Sequence, residues 1–250
     1  MNTFYILVLV LFLLLLIVAG KQGIKAFFGF IINLIAIFLL IIFLNWHFNI
    51  YLSVTVISFI ILAVSIYSSS DNPQVTNNAF LSSVFTYIIM FLVALPLNIF
   101  SNAQGFEVES SEELEGLFLT VGISFQNIAF AVTVIASLGA IAESSMAISA
   151  DLHELIKSSP TILRKNYYKQ ATIIGTQIIG TAVNTLLFSV LGDNLPLAIF
   201  YTRLHYSFFR LINDKLVVSA LLNLLIAIFG VVFTIPITTL IISKKHNFKL

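Results

Sequence analysis

A chain of 250 residues that is 59% hydrophobic and 9% charged, with a mean hydropathy of +1.06, is not a soluble globular domain, which carries about a quarter charged residues. A net charge of +1 gives no basis for a nucleic-acid partner. The absence of cysteine removes disulfides, thiolate metal sites and a cysteine nucleophile. What fits is an all-α, polytopic transmembrane helical bundle whose first partner is the lipid bilayer. The richness in Phe, Ile and Asn points to an AT-rich bacterial genome, hence to a bacterial cell membrane.

In chain order, "MNTFYILVLVLFLLLLIVAG" has an apolar core with no base before it, while Lys21 and Lys25 follow it. A secretory signal has the reverse arrangement, so this stretch is expected to be a retained first span with its N-terminus outside. Spanning takes about twenty apolar residues. Seven segments meet or approach that length: Thr3 to Ala19, Ala26 to Asn45, Ile50 to Tyr67, Ala79 to Phe100, Leu117 to Ala142, Ala171 to Leu191 and Leu216 to Ser243. The "GKQG" connector is short enough to force an antiparallel hairpin between the first two. Pro96 and Pro236 fall inside spans and should loosen them locally.

Orientation follows the basic residues. Seven spans place Lys21, Lys25, Lys157, Arg164, Lys165, Lys169, Lys244, Lys245 and Lys249 inside and leave Arg203, Arg210 and Lys215 outside, with the C-terminus inside. An eighth span at Leu195 to Phe209 scores equally, because the last two basic clusters then exchange sides. Its fifteen residues, with Arg203 and His205 among them, better suit a re-entrant or interfacial segment. Those two side chains are read as headgroup anchors, with an anion site as the alternative.

The polar groups inside the apolar runs carry what functional signal there is. Ser110 and Glu113, in the acidic loop before the fifth span, form a capping-box pattern. In the sixth span Thr176, Gly180 and Asn184 recur every four residues, and Gln177, Thr181 and Thr185 form a stripe beside them. Such stripes serve either as a helix-packing seam, with Gly139, Gly175 and Gly180 as close-approach points, or as the uncharged lining of a solute or ion path. Glu143 follows an apolar run long enough to span, so it is expected near the inner boundary. There it is either an ordinary helix-end charge or an ion-handling carboxylate. Asp151, His153 and Glu154 read as surface charges of the same helix end.

No catalytic residue, metal ligand or cofactor is expected. The histidines at 47, 153, 205 and 246 make no HExxH, the spans hold no aspartate pair, and no Gly-x-Ser-x-Gly elbow occurs.

The stretches "GAIAESSMAISADLHEL", "IIGTQIIGTAVNTLLFSVLGDNLPL" and "GVVFTIPITTLI" resemble, in that order, the signatures of the YibE/F-like family of bacterial multi-pass membrane proteins. The resemblance covers roughly residues 117–243, read as the signature core of a single integral membrane domain, 1–250. It fits at Gly139-Ala140, Glu154-Leu155, Gly175, Gly180-Thr181, Asn184-Thr185 and Leu195-Pro196. Two departures stand out. The family pattern has aspartate where this chain has Glu143, and it tends to an Arg-Asp pair where this chain reads Thr176-Gln177. The chain looks like the short, YibF-type member, without the soluble domain of longer members. The resemblance implies a partner: a longer YibE/F-like relative, with a homo-oligomer as the other form. Function is therefore expected to be that of a subunit of a transport-like complex, or of a non-catalytic scaffold or assembly partner for that relative.

Overall fold

The computed structural model describes residues 3–46, 48–101 and 125–246, and every element longer than a turn is a helix. They are α1 (Thr3–Asn45), α2 (Ile50–Ser69), α3 (Pro73–Ser101), α4 (Phe125–Ser158), α5 (Arg164–Asp193), α6 (Leu195–Arg203), α7 (Phe208–Asn213) and α8 (Lys215–Lys245). Six of these, α1 to α5 and α8, are long and apolar enough to cross a membrane. Helix is the form such runs must take, because hydrocarbon offers no partner to an unpaired peptide group. Ser110, Glu113 and the start of the fifth span at Leu117 lie outside the described residues.

The first two expected spans appear as one element that reverses direction. Gly20, at φ 55° and ψ −128°, interrupts α1, and beyond it the chain runs back along itself. The rings of Phe12 and Phe27 meet at 4.8 Å, where a straight helix would set them about 22 Å apart. Gly23 lies so close to Leu15 that a Cβ there would fall 2.0 Å from the Leu15 carbonyl oxygen. The six long helices therefore make seven crossing segments.

The stretch Leu195 to Phe209 is not an eighth. It splits into nine-residue α6 and the start of six-residue α7, separated by a turn in which His205 takes a φ of 53°. Neither piece approaches the length needed to span about 30 Å. Contacts at the ends settle the parity. Lys25 pairs with Asp71, Gln22 donates to the Ser68 carbonyl, and Lys245 donates to Asn78. The α1 turn, the α2–α3 connection and the end of α8 thus share one end of the bundle. Eight spans would have put the last of these at the other end.

The centre of the bundle is α4, which packs against α8, α3, α2 and α5. One apolar core joins α2, α3 and α4 through Val54, Leu62, Met90, Leu138 and Ile141, with Ile226 from α8. A second, around Ile148, Leu152, Tyr167 and Ile242, ties α4, α5 and α8 together. Gly230 permits a close crossing of three helices: a Cβ there would lie 2.9 Å from Ile141 Cγ1 and 3.8 Å from Met90 Cγ. Buried hydroxyls tie helices directly as well. Ser149 donates to the Val75 carbonyl, Thr133 to Asn223, and the Thr234 and Thr86 hydroxyls meet at 3.3 Å.

Candidate functional site

The Gly230 crossing fixes depth. The apolar runs 79–100 of α3 and 216–243 of α8 centre on Met90 and Gly230, and Ile141 of α4 meets both. Glu143 lies two residues, about 3 Å of helix rise, beyond Ile141. It is therefore at mid-height of the bundle, not near the inner boundary where the sequence placed it. The expectation took the span to end at Ala142, whereas α4 continues to Ser158 and its buried serines carry it deeper. Ser144 and Ser145 are buried and bond to carbonyls of the preceding turn, so they neither demand water nor hydrate Glu143.

Glu143 points away from the core. It is exposed, on a face of α4 whose other exposed members are Val132, Ala136, Gly139, Ala150, Glu154 and Lys157. Spacings of three, four and seven keep these residues on one stripe. A Cβ at Gly139 would touch nothing within 4 Å.

The same holds across the polar face of α5. Thr176, Gln177, Gly180, Thr181 and Asn184 are all exposed. The helix docks through other residues: Tyr167, Ala171 and Gly175 are buried, and Ile179, Ala182 and Leu186 pack on Ala140, Ala227 and Val231. Within this chain the stripe is thus not a seam. Of the three glycines read as close-approach points, Gly175 alone meets a neighbouring helix, where a Cβ would sit 2.5 Å from Ile235 Cγ2. Gly139 and Gly180 stand in open space. Ala140 belongs with Ile179 and Ala182, and Ile148 with Ile174 and Ile178, so Glu143 stands level with residues 177 to 181 of α5. Thr176 lies on the other flank of α5, where it lines a hollow of about 330 Å3 with Gly175 and Pro236 of α8.

Hydrogen bonding separates the polar groups into two kinds. The hydroxyls of Thr176, Thr181 and Thr185 all donate to carbonyls of their own helix and tolerate a dry surround. The amides of Gln177 and Asn184 and the carboxyl of Glu143 have no such internal outlet. An amide offers two donors and an acceptor, and hydrocarbon satisfies none of them. The site is a belt at mid-height in which one carboxyl and two amides look outward.

The closely packed Gly230 and the Thr86–Thr234 contact were missed from sequence. The cue available was the run of Thr234, Thr238 and Thr239 in α8, all buried. Arg203 and His205 line a shallow hollow of about 410 Å3 with Ile199 and Thr202, at the end of the bundle away from Lys25 and Lys245.

A family model described as YibE/F-like protein matches residues 7–247. The chain belongs to the YibE/F-like family. The match takes in the first hundred residues as well as the 117–243 stretch, so the α1 hairpin, α2 and α3 are family structure rather than generic membrane helices. No curated protein and no solved structure matches the chain. With the family and six apolar helices of spanning length, this YibE/F-like chain is a multi-pass membrane protein, and the outward belt of α4 and α5 lies where lipid would otherwise touch it.

Proposed function

We propose that the whole chain, 1–250, acts as one integral membrane domain and as a subunit of a transport-like complex in a bacterial cell membrane. The observation that carries this is Glu143: a carboxyl at mid-height of the bundle, facing outward. An ionisable group there costs at least about 2.5 kcal/mol unless it is paired or wetted. The described basic residues of this chain stand at the bundle ends, so the matching group comes from elsewhere. A second membrane protein closing over α4 and α5 would enclose Glu143, Gln177, Thr181 and Asn184 as the lining of a solute or ion path. The resemblance implies a longer YibE/F-like relative with an Arg-Asp pair where this chain has Thr176 and Gln177, which would place a base at the right depth. A second copy of this chain would bring the same carboxyl and amides and no base at that depth.

A scaffold role is the second reading, and the self-bonded threonines favour it, because such a face also packs dry. We assign the chain no catalytic step. The Ser144 hydroxyl is buried and donates to the Ala140 carbonyl at 2.7 Å, while His153 is nine residues further along the same helix.

The test is purification from the native membrane, followed by flux in vesicles and by cysteine substitution at 177, 181 and 184 in a chain that has no cysteine of its own. A path predicts a second multi-pass protein in the preparation, labelling of all three positions by aqueous reagents, and flux lost on Glu143→Gln. Protection of the three positions with unaltered flux assigns the face to packing. Recovery of the chain alone, as a monomer, sinks both readings of a partner.

A further inference from the structure

At the end of the bundle that carries Lys25 and Lys245, the start of α3 and the last turns of α4 and α8 diverge around a cavity of about 680 Å3. Its rim carries His153 and Lys157 from α4 with Lys245 and His246 from the end of α8. Its floor is apolar and includes Ile156 and the buried Ile242. Among the described residues no acidic side chain lines it. Asp71, the nearest acid in sequence to the start of α3, is engaged with Lys25. Asp151 lies on the far side of α4 from His153, two residues and about 200° away. Lys245 is held in place: its Nζ donates to Asn78 Oδ1 at 2.6 Å, which leaves two of its three donors free.

We propose that this cavity binds the phosphate of an anionic phospholipid headgroup. Two lysine ammonium groups, Lys157 and Lys245, facing one space repel each other unless an anion lies between them, and a tetrahedral phosphate accepts from several donors at once. The apolar floor selects among anions. A hydrated inorganic ion gains nothing from Ile156 and Ile242, whereas the glycerol and first methylenes of a lipid cover them. The location agrees: the three helices end here, at the height of the headgroups, and basic pockets between transmembrane helices are a recurrent form of headgroup site. The single positive charges of Lys157 and Lys245 would otherwise serve only the negative ends of their own helices, which requires no cavity.

Native mass spectrometry of the full chain in detergent, with phosphatidylglycerol and phosphatidylcholine as probes, tests this. The wild-type chain should retain one phosphatidylglycerol in preference to phosphatidylcholine. Lys157→Gln with Lys245→Gln should weaken that retention tenfold or more. Lys165→Gln with Lys169→Gln, which removes the same charge from the first turns of α5 outside the cavity, should change it less than twofold. Equal losses in the two double variants, or none in either, overturn the proposal by showing bulk charge or no site. Displacement of the lipid by millimolar inorganic phosphate overturns the lipid assignment and gives the cavity to a soluble phosphate instead.

Discussion

Gly139, Gly175 and Gly180 look alike in the sequence, each a small residue inside a long helix that could mark a close approach, yet the structure uses them differently. A methyl at Gly175 would enter the space of Ile235 Cγ2 at 2.5 Å, so Gly175→Ala should destabilise the fold by about 1–3 kcal/mol through overpacking. The same change at Gly139 or Gly180 meets nothing within 4 Å and should leave stability unchanged or raise it by up to about 1 kcal/mol through helix propensity. Thermal unfolding in detergent reads both effects, and trimming the obstacle in the pair Gly175→Ala, Ile235→Ala should return part of the Gly175→Ala loss. An equal response at all three glycines would contradict the assignment. Periodicity locates a residue on a helix face but does not say what the face meets. That is why the stripes of α5 were legible as stripes while their direction, outward, was not. Glu143 shows the same gap in depth: hydropathy ends a span at the first charge, whereas packing against Met90 and Gly230 sets the true level.

At the scale of the element, the α1 hairpin was legible because four residues between two apolar runs permit only an antiparallel return. What the pattern does not supply is the backbone step that makes the turn. Gly20 takes it, in a φ,ψ region at 55° and −128° that residues with a Cβ avoid. Gly20→Ala should therefore cost about 1–3 kcal/mol and loosen the two arms against each other. Cysteines placed at Phe12 and Phe27, whose rings touch, should be joined by a short bifunctional maleimide in the parent chain and joined less when Gly20 is alanine. Unchanged joining would mean that the turn is set elsewhere. The Lys25–Asp71 pair is a weaker support for this hairpin. Its side chains are 53% and 66% exposed, and exposed pairs contribute about 1 kcal/mol or less, so Asp71→Asn should leave the hairpin in place.

For the whole molecule, counting basic residues left two topologies tied, since moving the C-terminus across the membrane only exchanges two clusters. Length favoured one, and long-range contacts decide it: Lys245 on Asn78, Gln22 on Ser68 and Lys25 on Asp71 gather the α1 turn and the C-terminal end of α8 at one end. Arg203, Arg210 and Lys215 stand at the other, where α6 and α7 lie across the outlet of α5 instead of crossing. The bias of basic residues assigns the first of these ends to the cytoplasm. Single cysteines at the exposed positions Lys21, Lys244, Trp46 and Phe208 test both statements in intact cells. An impermeant maleimide should label the cysteines at 46 and 208 and spare those at 21 and 244 until the membrane is opened. Labelling at 21 and 244 from opposite sides would remove the seven-segment topology. Labelling of both from outside would keep the fold, reverse its orientation, and move the basic cavity of α3, α4 and α8 to the outer leaflet.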